Sequence, residues 1–237
     1  MEQESDYNKR LFGKGFRAWF HFQRFKWLEK KCSQYSPGLD LVVELGCFDG
    51  RSLGYLGGRP SQYYGFDANW EGGLDLAKQR NGDNGFHFIQ CSEPSGLLLK
   101  DQKKATLALS LETLEHIPVQ MLEAYLEKLS AITQGYLFIT VPNEKGPLFL
   151  TKHLVKRFLF ADAEAYALSE VFWATIGKTE FVKRNEHKGF DYDALRETLS
   201  TYFDPVEARG IPFPHLPLFL NPQIGLVMKS KNLPVPN

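Results

Sequence analysis

Cysteine is scarce in this chain: Cys32, Cys47 and Cys91 are the only three in 237 residues. They form no CxxC pair and have no close histidine partner, so neither a disulfide framework nor a zinc site is suggested, and the expectation for metals is none. The odd count fits a reducing compartment. An excess of one charge is also missing, since 28 lysines and arginines balance 28 aspartates and glutamates. That balance argues against a dedicated nucleic-acid binder, although a local basic patch stays open. No run of 18 apolar residues occurs, and no basic-then-apolar leader stands at the N-terminus. Repeats and low-complexity tracts are absent. The expectation is a cytoplasmic protein whose 43% hydrophobic content can fill a core.

What is present divides into two parts, residues 1–36 and 37–237. The first contains a basic, aromatic segment, Tyr7 to Cys32, with Phe12, Phe16, Trp19, Phe20, Phe22, Phe25 and Trp27 among eight lysines and arginines. Phe16, Trp19, Phe20, Gln23 and Trp27 recur at helical spacing, and SPGLD then breaks the helix. Such a helix packs across a domain or lies on a membrane surface.

From residue 41 the pattern changes to short apolar runs: LVVEL (41–45), YYGF (63–66), FHFIQ (86–90), TLALSL (106–111) and YLFITV (136–141). Each is too unbroken for a half-exposed strand and suits a parallel sheet buried on both faces. Helical segments lie between them, notably Val119 to Ile132. Alternation of this kind predicts a doubly wound α/β sheet. DPVEARGI and IGLVMK read as two further strands near the end. A mostly helical insertion, about 146–185, follows the fifth run. In it Leu148 to Phe160 reads as an amphipathic helix, with Leu154, Val155 and Phe158 on the apolar side and Lys152, His153, Lys156 and Arg157 opposite.

The first run ends in VVELGCFDGRS. Gly46 permits a tight turn and close backbone approach, and Gly50 is placed to open a helix whose free N–H groups point at a ligand. As a dinucleotide GxGxxG the stretch fails at Phe48 and Arg51. Arg51 itself reads as a solvated helix residue. The second run ends at Asp67, 23 residues beyond Glu44, a position suited to accepting hydrogen bonds from ribose hydroxyls.

VVELGCFDG, GFDANWEGGL, FIQCSEP, LALSLETLEHIP and GYLFITVPNEKGP, in this order, resemble class I S-adenosylmethionine-dependent methyltransferases. The likeness is to the branch of small-molecule enzymes with an LEH motif after strand four. It spans about residues 38–230 and implies a Rossmann-like seven-stranded sheet, helices on both faces and an antiparallel last strand. It also implies S-adenosylmethionine as cofactor. By that resemblance Glu44, Gly46, Cys47, Phe48 and Gly50 form the cofactor loop, Asp67 holds the ribose, and Ala68 and Asn69 flank the adenine. Cys91 and Ser92 stand where the family has Gly-Asp, and Ser110 and Leu111 border the methionine part. Phe48, Ser92 and Thr106 depart from the family pattern.

Two histidines fall where the resemblance implies the acceptor, His116 in LEHIP and His187 in NEHKGFD. Each is a candidate base or acceptor contact, because imidazole titrates near neutral pH. Glu115, Asn143 and Glu144 are candidate acceptor-binding residues, and Glu112 either faces the methionine end or caps a turn. The similar branch includes enzymes linked to bacterial surface polysaccharides. The expected acceptor is therefore a small polar molecule, methylated at oxygen, with a sugar or sugar-derived metabolite preferred. The basic, aromatic decorations point to an anionic or lipid-linked one under a lid-like insertion. Two rivals remain: a nucleotide-sugar or NAD-linked enzyme, and a membrane-surface or partner-binding module with a vestigial fold.

Overall fold

The computed structural model describes residues 15–82, 85–100, 103–159, 166–185 and 187–231. Its centre is one seven-stranded sheet in the order β3-β2-β1-β4-β5-β7-β6. The strands are β1 (Leu41–Leu45), β2 (Gln62–Asp67), β3 (Phe86–Gln90), β4 (Ala105–Leu111), β5 (Thr133–Pro142), β6 (Phe203–Ile211) and β7 (Gln223–Ser230). The first five are parallel, whereas β7 runs antiparallel to both β5 and β6. The apolar runs predicted an α/β sheet, and the seven strands with an antiparallel last one are those the methyltransferase resemblance implies.

Unbroken apolar strands follow from burial on both faces. Successive residues of β1 alternate between two cores: Leu41, Val43 and Leu45 enter one, Val42 the other. In β4, Ala108 joins the first core, and Leu107, Leu109 and Leu111 the second. Helices cover both sides. Over the first core lie α3 (Val119–Ile132), through Tyr125, Leu126 and Leu129, and α6 (Tyr192–Tyr202), through Leu195 and Leu199. Over the second lie α1 (Phe16–Tyr35), through Phe25, Trp27, Leu28 and Cys32, and α2 (Gly73–Asn81), through Leu74 and Ala77.

The N-terminal helix is thus seated on the sheet. Trp27 lies flat over Gly225 of β7, where an added Cβ would come within 2.3 Å of the indole. Lys31, buried in this contact, pairs with Glu207 of β6 at 2.8 Å, and the Tyr35 hydroxyl donates to the same carboxylate at 2.6 Å. The buried face differs from the one expected. Trp27 is buried as expected, but Trp19 is exposed, while Ala18, Phe25, Leu28 and Cys32 face inward, because aromatic residues occur on more than one side of the helix and docking on the sheet selects the stripe. The segment from Tyr7 to Lys14, with Phe12, lies outside the described residues. Among the described residues no helix is long and apolar enough to cross a membrane.

Two helices follow β5, α4 (Gly146–Leu159) and α5 (Leu168–Thr175). The face expected of α4 is also displaced. Leu154 and Val155 are exposed, whereas Lys152 turns inward to pair with Glu144 at 2.8 Å and to bond the Asn143 carbonyl at 2.9 Å. His153 stacks on Phe149 rather than facing water. Phe160 lies outside the described residues.

Candidate active site

Strand order reverses between β1 and β4, so the loops leaving their carboxyl ends diverge and leave a crevice between them. A cleft of about 340 Å³ opens there. It is lined by Glu44, Gly46, Cys47 and Phe48 after β1, by Asp67 and Ala68 after β2, and by Cys91 and Ser92 after β3. Leu111, Glu112 and His116 close the side after β4.

The β1 loop keeps its shape through backbone conformation. Gly46 has φ +81°, and a Cβ on it would lie 1.9 Å from the Thr113 hydroxyl, so the β1 and β4 loops touch only because this residue is glycine. Phe48 adopts φ 43°, uncommon for a residue with a side chain. Its ring packs on Gly73 at the start of α2, where an added Cβ would meet the ring at 2.4 Å. Phe48 thus combines a cleft-lining position with packing on α2. The helix expected after Gly50 is only a five-residue 3-10 turn, Arg51–Tyr55, and Gly50 lies outside the cleft lining.

Asp67 organises the second loop. One carboxylate oxygen accepts the Phe48 N–H at 2.9 Å, the other the Asn69 N–H at 2.6 Å. Both donors belong to residues with left-handed backbone. A carboxylate has about four acceptor sites, so after these two bonds the Asp67 oxygens can still take two ligand hydroxyls. Asn69 does not line the cleft; its side-chain oxygen accepts the Leu74 N–H at 3.2 Å and steadies the start of α2.

Glu44 is buried, and burial pushes its carboxyl up to about 7 against the hydrogen bonds it accepts from Ser52 and Tyr63. A cationic group entering the cleft would favour its ionised form. Ser110 is buried behind the cleft, its hydroxyl without a hydrogen-bond partner among the described residues. Burial likewise raises the Cys47 and Cys91 thiols and takes Cys32 up to about 12, which argues against thiolate chemistry at all three. Thr106, in the place of an expected acid, donates its hydroxyl to the Gly38 carbonyl at 2.5 Å with the Leu41 carbonyl 3.1 Å away, joining the starts of β4 and β1.

The other half of the crevice holds the histidines. His116 and His187 meet edge to face with ring centroids 4.4 Å apart. The hairpin carrying His187 is pinned to α5 by the Lys188–Glu170 ion pair at 2.8 Å. Glu115, just before His116, is fully buried, and neither carboxylate oxygen has a hydrogen-bond partner among the described residues. Burial and the nearby Glu112 charge hold its carboxyl well above the usual range. Burial also raises Glu112, while Arg24 and Lys152 pull it down; its backbone has φ 54°. One ligand atom each from Glu115, His116 and His187 lies within 4.8 Å of the others, a grouping that can hold a metal ion. The sequence spacing suggested none, because this grouping joins residues 71 positions apart.

Asn143 and Glu144, expected to contact the acceptor, are not among the residues lining this cleft. Asn143 is fully buried and donates to the Phe219 and Asn221 carbonyls at 3.3 and 2.9 Å, locking the turn before β7. Glu144 is absorbed by Lys152 and lies outside the cleft lining. Arg51, expected in solvent, lines the cleft and bonds Asp49 at 3.0 Å. Sequence reasoning missed Arg24 and Phe25, which α1 contributes to the cleft, and Met121 and Tyr125 from α3. Met121 and Tyr125 share the apolar spacing of the Val119–Ile132 helix, but which end of that face meets a ligand depends on docking against the sheet.

No protein-family model matches the sequence, and no curated protein matches it. Solved structures do share the fold. An S-adenosylmethionine-dependent methyltransferase from Clostridium acetobutylicum superposes with a TM-score of 0.62 at 13% identity, covering 94% of this chain and 95% of its own. Magnesium protoporphyrin IX methyltransferase ChlM from Synechocystis, with bound S-adenosylhomocysteine, gives 0.61 at 16% identity, covering 95% and 94%. The N-methyltransferase NodS from Bradyrhizobium japonicum, in complex with S-adenosylhomocysteine, gives 0.57 at 11% identity, covering 97% and 100%. The architecture is therefore that of class I methyltransferases.

Proposed function

We propose that the chain is an S-adenosylmethionine-dependent methyltransferase acting on a small polar acceptor, with a sugar or sugar-derived hydroxyl as the preferred nucleophile. One observation carries this reading: a single cleft at the sheet's switch point holds Glu44, Gly46 and Asp67 at one side and His116 at the other. Fold neighbours that hold S-adenosylhomocysteine support the cofactor, and the residues fit it. The Asp67 oxygens suit the ribose hydroxyls, the buried Glu44 suits a cationic amino acid head, and Ala68, Cys91 and Ser92 border the space for adenine.

When bound, S-adenosylmethionine supplies a methyl group already activated on a sulfonium, which departs as a neutral thioether once the acceptor has taken the methyl. The protein's own work is alignment and proton management. Holding a nucleophile in line can lower the barrier by about 7–11 kcal/mol. Phe25 and Phe48 contribute apolar surface to the cleft and limit water there. The proton of the acceptor hydroxyl is taken up on the His116–His187 side, where imidazole meets the cleft. Arg24 and Arg51 line the same space and support an anionic acceptor. The seating of α1 on the sheet through Phe25, Trp27 and Leu28 disfavours the membrane-module rival, because those aromatics are used in the core.

The test is transfer of labelled methyl to a panel of sugars and sugar nucleotides. His116→Ala and His187→Ala should each lower turnover by about 10²–10⁴-fold, the usual contribution of general acid–base groups, with S-adenosylhomocysteine affinity unchanged. Unaltered turnover in both variants would remove the histidines from the chemistry. No incorporation into any sugar by cofactor-binding protein would exclude that acceptor class.

A further inference from the structure

We infer that Glu115, His116 and His187 form a binding site for a divalent first-row transition-metal ion at the acceptor end of the cleft. The two imidazoles and one carboxylate offer ligand atoms within 4.8 Å of one another. Atoms bound at about 2.1 Å to one ion stand about 3.0–3.4 Å apart in octahedral or tetrahedral geometry, so modest side-chain rotation closes the set.

The second observation is Glu115 itself. Its side chain is fully buried, yet neither oxygen is hydrogen-bonded to an imidazole or to anything else among the described residues. A buried carboxyl in that condition keeps its proton unless a cation or donors arrive to compensate the charge. Glu112 adds a second negative charge nearby, and the full charges that answer this pair are Arg24, Lys152 and Arg184. Arg184 spends a hydrogen bond on the Glu115 backbone carbonyl, at 2.8 Å, instead of on the carboxylate. That bond fixes the turn carrying Glu115 and His116 against the segment that carries His187. The His116 N–H to Thr113 carbonyl bond, at 3.0 Å, braces the turn from within. The ligand-bearing backbone is thus held in place before any ion arrives.

Donor chemistry selects the ion. Two imidazoles with a carboxylate suit Zn²⁺, Fe²⁺, Co²⁺ or Mn²⁺ better than Mg²⁺ or Ca²⁺, which prefer oxygen ligands alone. Three protein ligands leave coordination positions open. His116 lines the cleft, so an ion it holds stands at the cleft wall. This deepens the methyl-transfer reading and rests on it for its role: a hydroxyl that reaches the ion loses its proton more readily, and the two histidines then act as ligands rather than as the base.

The experiment uses the full chain, stripped with chelator and titrated with Co²⁺, followed by visible absorption and calorimetry. The expected result is saturable binding of one Co²⁺ per chain. It should weaken at least about tenfold in His187→Ala and in Glu115→Gln, since even outer partners of a metal site are worth 10–100-fold. Thermal unfolding confirms that each variant is folded, and His187→Ala, on a partly exposed hairpin, covers the case in which Glu115→Gln fails to fold. Absence of saturable Co²⁺ binding by folded protein, or equal binding by His187→Ala, would overturn the site. S-adenosylhomocysteine titration runs beside it: loss of that signal alone would remove the methyl-transfer reading and leave the metal result standing.

Discussion

Replacing Asp67 by alanine tests the centre of the cofactor side, and its effect can be worked from the structure. The carboxylate accepts two backbone N–H bonds, from Phe48 at 2.9 Å and Asn69 at 2.6 Å. Both residues are half-buried, so water partly replaces the lost acceptor, and about 1 kcal/mol per bond, roughly 2 kcal/mol in all, is the expected loss of stability. Binding loses more. A ribose hydroxyl bonded to a charged group is worth about 1.5–3 kcal/mol, so S-adenosylhomocysteine affinity should fall about 10- to 150-fold. Loop disorder alone would also weaken binding. A cofactor analogue lacking both ribose hydroxyls separates the two causes. It should bind the native protein more weakly than S-adenosylhomocysteine does, while Asp67→Ala should scarcely distinguish the two ligands. Calorimetry on the four combinations gives the coupling. Equal discrimination by both proteins would refute the ribose assignment, whatever happened to stability.

Other sites carry their own tests. Gly46→Ala sets a methyl group against Thr113 in a left-handed backbone that costs about 1–2 kcal/mol for an L-residue; it should lower the urea midpoint and cofactor affinity together, with Thr113→Gly restoring part of each. A Gly46→Ala protein of native stability would mean the two loops are not in contact. Glu207, which burial would raise, is held instead at about 2 by hydrogen bonds from Lys31, Tyr35 and Arg209. Its stabilising effect should therefore be complete above its ordinary 4.5 and vanish as pH falls from there toward 2. Glu207→Gln should cost about 1.5–3 kcal/mol at pH 7, the usual worth of hydrogen bonds to a charged group, with the difference from native protein shrinking below pH 4.5. A pH-independent difference would discount the ion pair. Gly225→Val drives a side chain into Trp27 and should destabilise by about 1–3 kcal/mol, as overpacking does; unchanged thermal unfolding would show that α1 is not seated there.

The parts of the structure legible in the sequence were those set by local periodicity. Each apolar run became a strand, and Val119–Ile132 became α3 with the expected ends, because a strand buried on both faces and an amphipathic helix leave different local patterns. Alternation of strands and helices carried the topology. What stayed hidden depended on distant partners. Trp19 and Trp27 lie only about 80° apart on a helical wheel, and the sheet with Gly225 takes one and leaves the other exposed. Lys152 reads as a solvated base until Glu144 and the Asn143 carbonyl meet it. The sequence marks Asn143 only as a polar residue after β5, while its bonds to the Phe219 and Asn221 carbonyls join it to the turn before β7. Glu115 and His116 are neighbours in the chain, but their grouping with His187 arises only when the segment after α5 folds back over β4.

The central claim is that the cleft between the β1 and β4 loops binds S-adenosylmethionine. Calorimetric titration of the folded chain with S-adenosylmethionine and S-adenosylhomocysteine tests it most directly. Saturable binding of one molecule of each per chain is the predicted result; no detectable binding of either by protein with a native unfolding transition would contradict it.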